Sequence, residues 1–337
     1  MIMRKRDNQT VLVCFILALL IASLLGCQNS GKTNKEKAEA NLPQQKDSLK
    51  EGFLMTRKTF DGSVSWQWLL SDSLSAHATL EEMKEMATFH KNPIKRLIAF
   101  RTLLTKDAHQ AVNLTISNIE DTSIVKIFNV DCLDEDRVSN VRICMLQYNR
   151  GHYQITQDDS ARVDSAALFS TNIPLYDYSY RLYHHLPAKP IYENRLRQLY
   201  KQDMWALVAL AKFHREKERQ EIIRLLSQAD YKDSWNYRDT LRAALHAAAA
   251  WPDATFKPLV QRECQKILEQ TDTIECCGAA FRALIAYHTK WGYDMAEKAL
   301  ARAKQDNNYY VLWHFHEEYE DNPQPLFKPL TQKYPWE

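Results

Sequence analysis

His314, His316, Glu317 and Glu318 place four side chains able to ligate metal or move protons within five residues of one another. On a helix, positions two apart point to nearly opposite sides, so His314 shares a face with Glu317 or Glu318, and His316 with Glu320. No HExxH spacing is present. The four therefore read as a core-edge histidine with solvated acids rather than as a metal site. His184 and His185 are adjacent and are expected in a loop. Asp134, Glu135 and Asp136 form one acidic cluster, and Asp158 and Asp159 another. Paired carboxylates do acid–base work when a pocket shifts their protonation. Neither run has the register of a calcium-binding EF-hand loop, so both are expected in solvated loops or helix caps. No glycine-rich phosphate loop, GxSxG elbow or Cys–His nucleophile context occurs. No cofactor, metal or catalytic residue is called for, and nothing in these motifs argues for an enzyme.

Cysteine allows two readings. Beyond Cys14 and Cys27 lie Cys132, Cys144, Cys264, Cys276 and Cys277. Cys132 with Cys144 and Cys264 with Cys276 are the pairings that an oxidising compartment would favour. The competing reading makes each a small buried apolar residue. No CxxC spacing suggests zinc or redox chemistry. Aromatics crowd the C-terminal end: Tyr309, Tyr310, Trp313, Tyr319, Tyr334 and Trp336. Either they seal the end of the fold, or Tyr309, Tyr310, Trp313, Tyr319 and Trp336 line a partner site, where aromatics carry disproportionate binding energy.

The N-terminus sets compartment and attachment. Arg4, Lys5 and Arg6 precede an apolar run from Val11 to Leu25, followed by Gly26 and Cys27. Charge, apolar stretch and small residue at the cut are the layout of a secretory signal. A cysteine directly after the small residue resembles a bacterial lipoprotein signal, whose box ends in a lipid-modified cysteine. The resemblance implies a signal peptide at 1–26 and several acyl chains on Cys27, enough for stable anchoring. Gln28, rather than aspartate, follows the cysteine, which implies sorting to the outer membrane. Only Glu36 is acidic between residues 28 and 38, which implies the periplasmic leaflet. The rival is an uncleaved transmembrane anchor, but the run is shorter than the roughly 20 residues a spanning helix needs. Leu25 departs from the family, which more often has a small residue there.

Residues 27–52 are polar and lack aromatics, so they read as a tether that cannot offset its own ordering entropy. Cleavage at Gly26 takes Arg4, Lys5, Arg6 and Asp7 out of the 44 basic and 42 acidic residues, leaving 41 of each. A nucleic-acid binder would show a basic excess, so nucleic acid is not an expected partner.

Beyond the tether the pattern is helical. Only seven glycines occur, against a turn-rich β fold. Asn92 and Pro93 open a helix with the stripe Ile94, Leu97, Phe100 and Leu104, and a second carries Val112 and Ile116. After residue 190, short amphipathic helices follow in pairs of about 30–40 residues. Phe256-Lys257-Pro258-Leu259 returns as Phe327-Lys328-Pro329-Leu330, and Trp251 and Trp291 mark similar turns. These pairs resemble HEAT-like repeats of α-solenoids, with tetratricopeptide arrays the near rival. Asn92 to Thr122 is the closest match. A lone helix pair cannot bury its apolar stripe, so repeats stack.

The expected organisation is all-α: a helical region at 53–122 with one HEAT-like repeat, an irregular insertion or linker at 123–190, and a helical-repeat region at 191–337. Asp-Ser/Thr-apolar triplets, at Asp72, Asp159, Asp164 and Asp239 among others, resemble the O-glycosylation signal of Bacteroidota periplasmic proteins. The expected function is a lipid-anchored envelope scaffold that binds a protein or peptide. The alternative is an enzyme or carbohydrate-binding or small-ligand-binding lipoprotein with its site in 123–190.

Overall fold

A computed structural model describes residues 52–57, 63–129, 132–148, 153–170, 179–228, 235–269 and 276–336. The signal, Cys27 and the tether up to Glu51 lie outside the described residues, as does the apolar run at 11–25, while Gly52, the last residue of the expected tether, belongs to a strand. Among the described residues no helix is long and apolar enough to cross a membrane. The fold is mostly helical and divides into two compact units, Met1–Asp159 and Ser160–Glu337.

Unit 1 holds β1 (Gly52–Leu54), α1 (Trp66–His77), α2 (Leu80–Phe89), α3 (Pro93–Lys106), α4 (Ala108–Ser117), β2 (Ile124–Asn129), β3 (Cys132–Arg137) and α5 (Val138–Tyr148). Local chemistry sets the helix starts. Thr79 and Glu82 form a reciprocal capping box on α2, and Asn92 caps α3 ahead of Pro93, whose missing N–H costs nothing there. Asp107 caps α4. The predicted stripe of α3 is buried, with Leu97 and Phe100 fully enclosed, and so are Ile98 and Leu103 beside it.

The mostly helical fold agrees with the all-α expectation, and a small three-stranded sheet is added to it. β1 runs parallel to β2, and β2 pairs antiparallel with β3, Val125 facing Asp136 and Ile127 facing Asp134. Asp134, Glu135 and Asp136 thus lie on a strand rather than in a solvated loop or cap. Three residues of β1 are too few to show a period, and acids at β3 hide its strand character. Arg101 and Gln67 hold β1 to the helices. The Gln67 amide donates to the Gly52 carbonyl at 2.6 Å and accepts from the Leu54 N–H at 2.9 Å, imitating a ladder partner. Arg101 donates to the carbonyls of Leu54 and Gln67 at 3.1 and 3.0 Å.

The stretch 123–190 is not irregular: it supplies the hairpin β2–β3, α5, α6 (Gln157–Phe169) and α7 (Ser179–His185). Asp158 and Asp159 sit in the first turn of α6, where acids favour the positive helix end.

Unit 2 continues with α8 (Pro190–Leu199), α9 (Ala206–Ala211), α10 (Glu216–Ser227), α11 (Trp235–Ala250), α12 (Lys257–Glu269), α13 (Cys277–Tyr287), α14 (Lys290–Gln305), α15 (Tyr309–Asp321), a 3-10 turn at Pro325–Phe327 and α16 (Lys328–Lys333). Odd-numbered helices pack in sequence, α7 on α9, α9 on α11, α11 on α13 and α13 on α15. They form a first row. A second row, α10, α12 and α14, packs in order behind it. The repeated Phe-Lys-Pro-Leu segments are equivalent in packing: Phe256 and Phe327 are both fully buried, each just ahead of a helix that opens with Lys-Pro. Trp291 falls inside the first turn of α14 rather than in the turn before it.

One device recurs between helices of the second row. Arg262 of α12 donates to the Leu226 carbonyl at the end of α10, at 2.7 Å. Arg302 of α14 donates to Leu268 and Glu269 carbonyls at the end of α12, at 2.5 and 2.8 Å. A cation there satisfies orphaned carbonyls and suits the negative helix end. Of the Asp-Ser/Thr-apolar triplets, those at Asp72, Asp159, Asp164 and Asp239 fall within helices, and Ser160 is buried.

Candidate functional site

The residues with the most unusual surroundings lie on the first row of unit 2, at two registers that recur every 36 residues. Arg242, Gly278 and His314 occupy one, on α11, α13 and α15; His246, Arg282 and Glu318 occupy the other, one turn further on. Successive first-row helices pack side by side, so equal spacing sets these residues next to one another. Buried polar groups in such a row need partners.

Arg282 is the hub. Its Nε lies 2.5 Å from Glu318 Oε2, and its Nη2 donates to Asp321 Oδ2 at 2.7 Å. Glu318 is 4% exposed. Burial outweighs the Arg282 contact and pushes its carboxyl up to about 7. Burial likewise raises Glu317, while Arg181 of α7 and Arg282 pull it back down.

Gly278 explains how α15 comes so close. A Cβ at this position would stand 3.2 Å from both Glu318 Oε1 and His314 Nδ1. Gly278→Ala would gain little helix propensity in a first turn, whereas overpacking costs typically about 1–3 kcal/mol. We expect a net loss of about 1 kcal/mol, read as a lower urea midpoint with an unchanged slope. A stabilised G278A protein would show that α15 can move aside freely.

His184 and His246 meet edge to face with ring centroids 4.7 Å apart, and Trp205 packs on His246 at 5.2 Å. Burial, with Arg282 nearby, holds both imidazoles well below their ordinary range, hence neutral. Neither His184 nor His185 is a loop residue, since both close a helix. His184 lies in the last turns of α7, and the carbonyls that close this helix (Tyr183, His184 and Leu186) accept from Lys212 Nζ at 3.2, 2.6 and 2.8 Å.

The C-terminal cluster is faced as its spacing predicts, but Glu318 is enclosed against Arg282 rather than solvated. His314 Nδ1 is 3.8 Å from Glu317 Oε2, while His316 points away and bonds the Tyr334 carbonyl at 2.8 Å. Among the described residues, no three or more His, Cys, Asp or Glu side chains are grouped to hold a metal ion. Tyr309 and Tyr310 are exposed, at 62% and 55%, as is Trp336. Trp313 is half-buried between Tyr310 and His314, with centroids 5.4 and 4.7 Å away. Tyr319 departs from the partner-site reading: it stacks on Phe315 and packs on the core.

Cys264 is a free thiol that donates to the Ala280 carbonyl at 3.7 Å, so the Cys264–Cys276 bridge is not formed. It is a buried small residue, and burial raises its thiol pKa. The Cys132–Cys144 pairing involves a side chain, Cys132, that lies outside the described residues.

Reading single motifs missed Arg242, His246, Gly278 and Arg282. The signal that would have found them is the 36-residue offset, hidden because the three residues at each register differ. A scan of family models and searches of curated proteins and solved structures each find no match.

Proposed function

We propose that this chain is a lipid-anchored scaffold of the cell envelope, held by acylated Cys27 at the periplasmic leaflet of an outer membrane. Unit 2 is read as a HEAT-like α-solenoid whose first row presents a protein- or peptide-binding face. The observation that carries this reading is the two-row packing, with the polar residues His246, Arg282 and Glu318 recurring every 36 residues along one row. Repetition of this kind builds a long surface rather than an enclosed chamber. The exposed Tyr309 and Tyr310 at its end supply anchors of the type that dominate interfaces.

A small-ligand or enzymatic site within 123–190 has one observation in its favour, the approach of His184 to His246. His246 is 2% exposed, which leaves a substrate no room beside it, so the scaffold is the better reading.

Two measurements in cells test the proposal. Alkyne-fatty-acid labelling should mark the wild-type chain, and Cys27→Ser should lose both the label and membrane sedimentation. A photo-crosslinking residue at Tyr310 should capture one stoichiometric partner, while the same residue at Lys298, exposed on α14 of the second row, should not. A labelled C27S protein would sink the anchor, and equal capture at both positions would sink the binding face.

A further inference from the structure

We propose that the first row of unit 2 takes an acidic peptide segment, with a carboxylate held by Arg242 and a neighbouring apolar side chain resting on Tyr310 and Trp313. This deepens the scaffold reading and rests on it.

The argument starts from how the cations of this face are used. Arg282 is saturated, with Glu318 on one side and Asp321 on the other. Lys212 is spent on the carbonyls that end α7. Arg242 is different. Its ion pair is with Asp239 of its own helix, 3.4 Å away and itself 47% exposed, while the arginine side chain is 35% exposed. Contacts of that kind between exposed groups are worth little and yield readily to a better partner.

Arg242 is also aimed. Its guanidinium lies over the Trp205 ring, 5.5 Å from the centroid, and Trp205 is in turn fixed against His246. An arginine lying over an aromatic ring keeps its N–H edge outward, the geometry that grips a carboxylate with two parallel hydrogen bonds. Preorganisation of this sort lowers the entropic cost of binding.

Its neighbourhood supplies the second half of the recognition. The charge of Arg242 reaches His314 of α15 and, added to the larger effect of burial, keeps that imidazole below its ordinary range. His314 touches Tyr310 and Trp313, with centroids 4.9 and 4.7 Å away. A cation held by so weak a pair, sharing its register with His314 beside the exposed Tyr310 and the half-buried Trp313, matches an acid flanked by apolar residues. The acids on this face do not reverse the match. Glu318 is enclosed against Arg282, and burial disfavours the charged form of Glu317.

The test compares two rhodamine-labelled, C-terminally amidated pentapeptides, Gly-Phe-Glu-Phe-Gly and Gly-Phe-Gln-Phe-Gly, titrated with the full chain in detergent and read by anisotropy. The glutamate peptide should bind at least ~10-fold tighter, the range expected for hydrogen bonds to a charged group. Arg242→Gln should erase that preference while leaving the weaker glutamine peptide unchanged. Arg242→Lys, which keeps the charge but loses the fork, should fall between and carries the test if R242Q fails to fold. Equal affinity of the two peptides for the wild type, binding of neither, or a preference that survives R242Q overturns the proposal. Crosslinking at Tyr310 separates the two levels. A captured partner without glutamate preference removes only the acidic class, whereas no capture removes the scaffold reading itself.

Discussion

Arg282→Met should cost unit 2 about 3–5 kcal/mol at pH 8 and markedly less at pH 5, because it strips the paired cation from a buried carboxylate. In the wild type, Glu318 keeps its proton up to about 7 instead of the ordinary 4.5. Through that window the folded chain holds a proton that the unfolded chain has released. Stability therefore falls as pH rises through it and is level above it. Without Arg282 the attraction that limits this effect is gone, so the proton stays bound to higher pH and the penalty extends upward. At pH 5 both proteins carry a neutral Glu318, and the variant loses only packing and the Asp321 contact. Urea unfolding of the full chain at the two pH values reads the difference. Equal losses at pH 5 and pH 8 would mean that Glu318 does not change charge in the fold between them, contrary to its raised pKa.

Arg101→Met is the second large effect, and it falls on unit 1. The guanidinium donates to two carbonyls, Leu54 of β1 and Gln67 of α1, and lies 3.8 Å from the Trp68 centroid and 5.2 Å from that of Phe53. Burial lowers its pKa to about 10, which still leaves it charged at neutral pH. Methionine fills much of the volume but donates nothing, so two buried carbonyls each lose a charged donor. A loss of about 3–4 kcal/mol is expected, since each lost bond costs roughly 1–3 kcal/mol. Arg101→Lys should recover less than half, because an ammonium cannot reach both carbonyls with a planar fork. Hydrogen exchange gives the local readout: the Phe53 and Leu54 amides should lose protection first. An unchanged melting temperature together with unchanged exchange would mean that β1 is held by its pairing with β2 alone.

Local events in this protein are legible in its residues alone. Helix starts at Asn92-Pro93 and Thr79 can be read because caps act through the nearest few residues. The stripe of α3 follows from a period of three to four, and the split between His314 and His316 from helix geometry. Whatever depends on partners far along the chain waits for the packed fold. β1 is a strand because β2, more than seventy residues later, gives it a ladder and Arg101 and Gln67 strap it down. His184 is half-buried because α11 arrives beside it, and the Cys264 thiol stays free because it donates to a carbonyl on α13. The candidate site stands on the same footing. Arg242, Gly278 and His314 share no residue type, so no pattern joins them until packing of the first row lays equal positions side by side. Periodicity along one helix is written in local sequence; register between helices is set by the side chains that meet there.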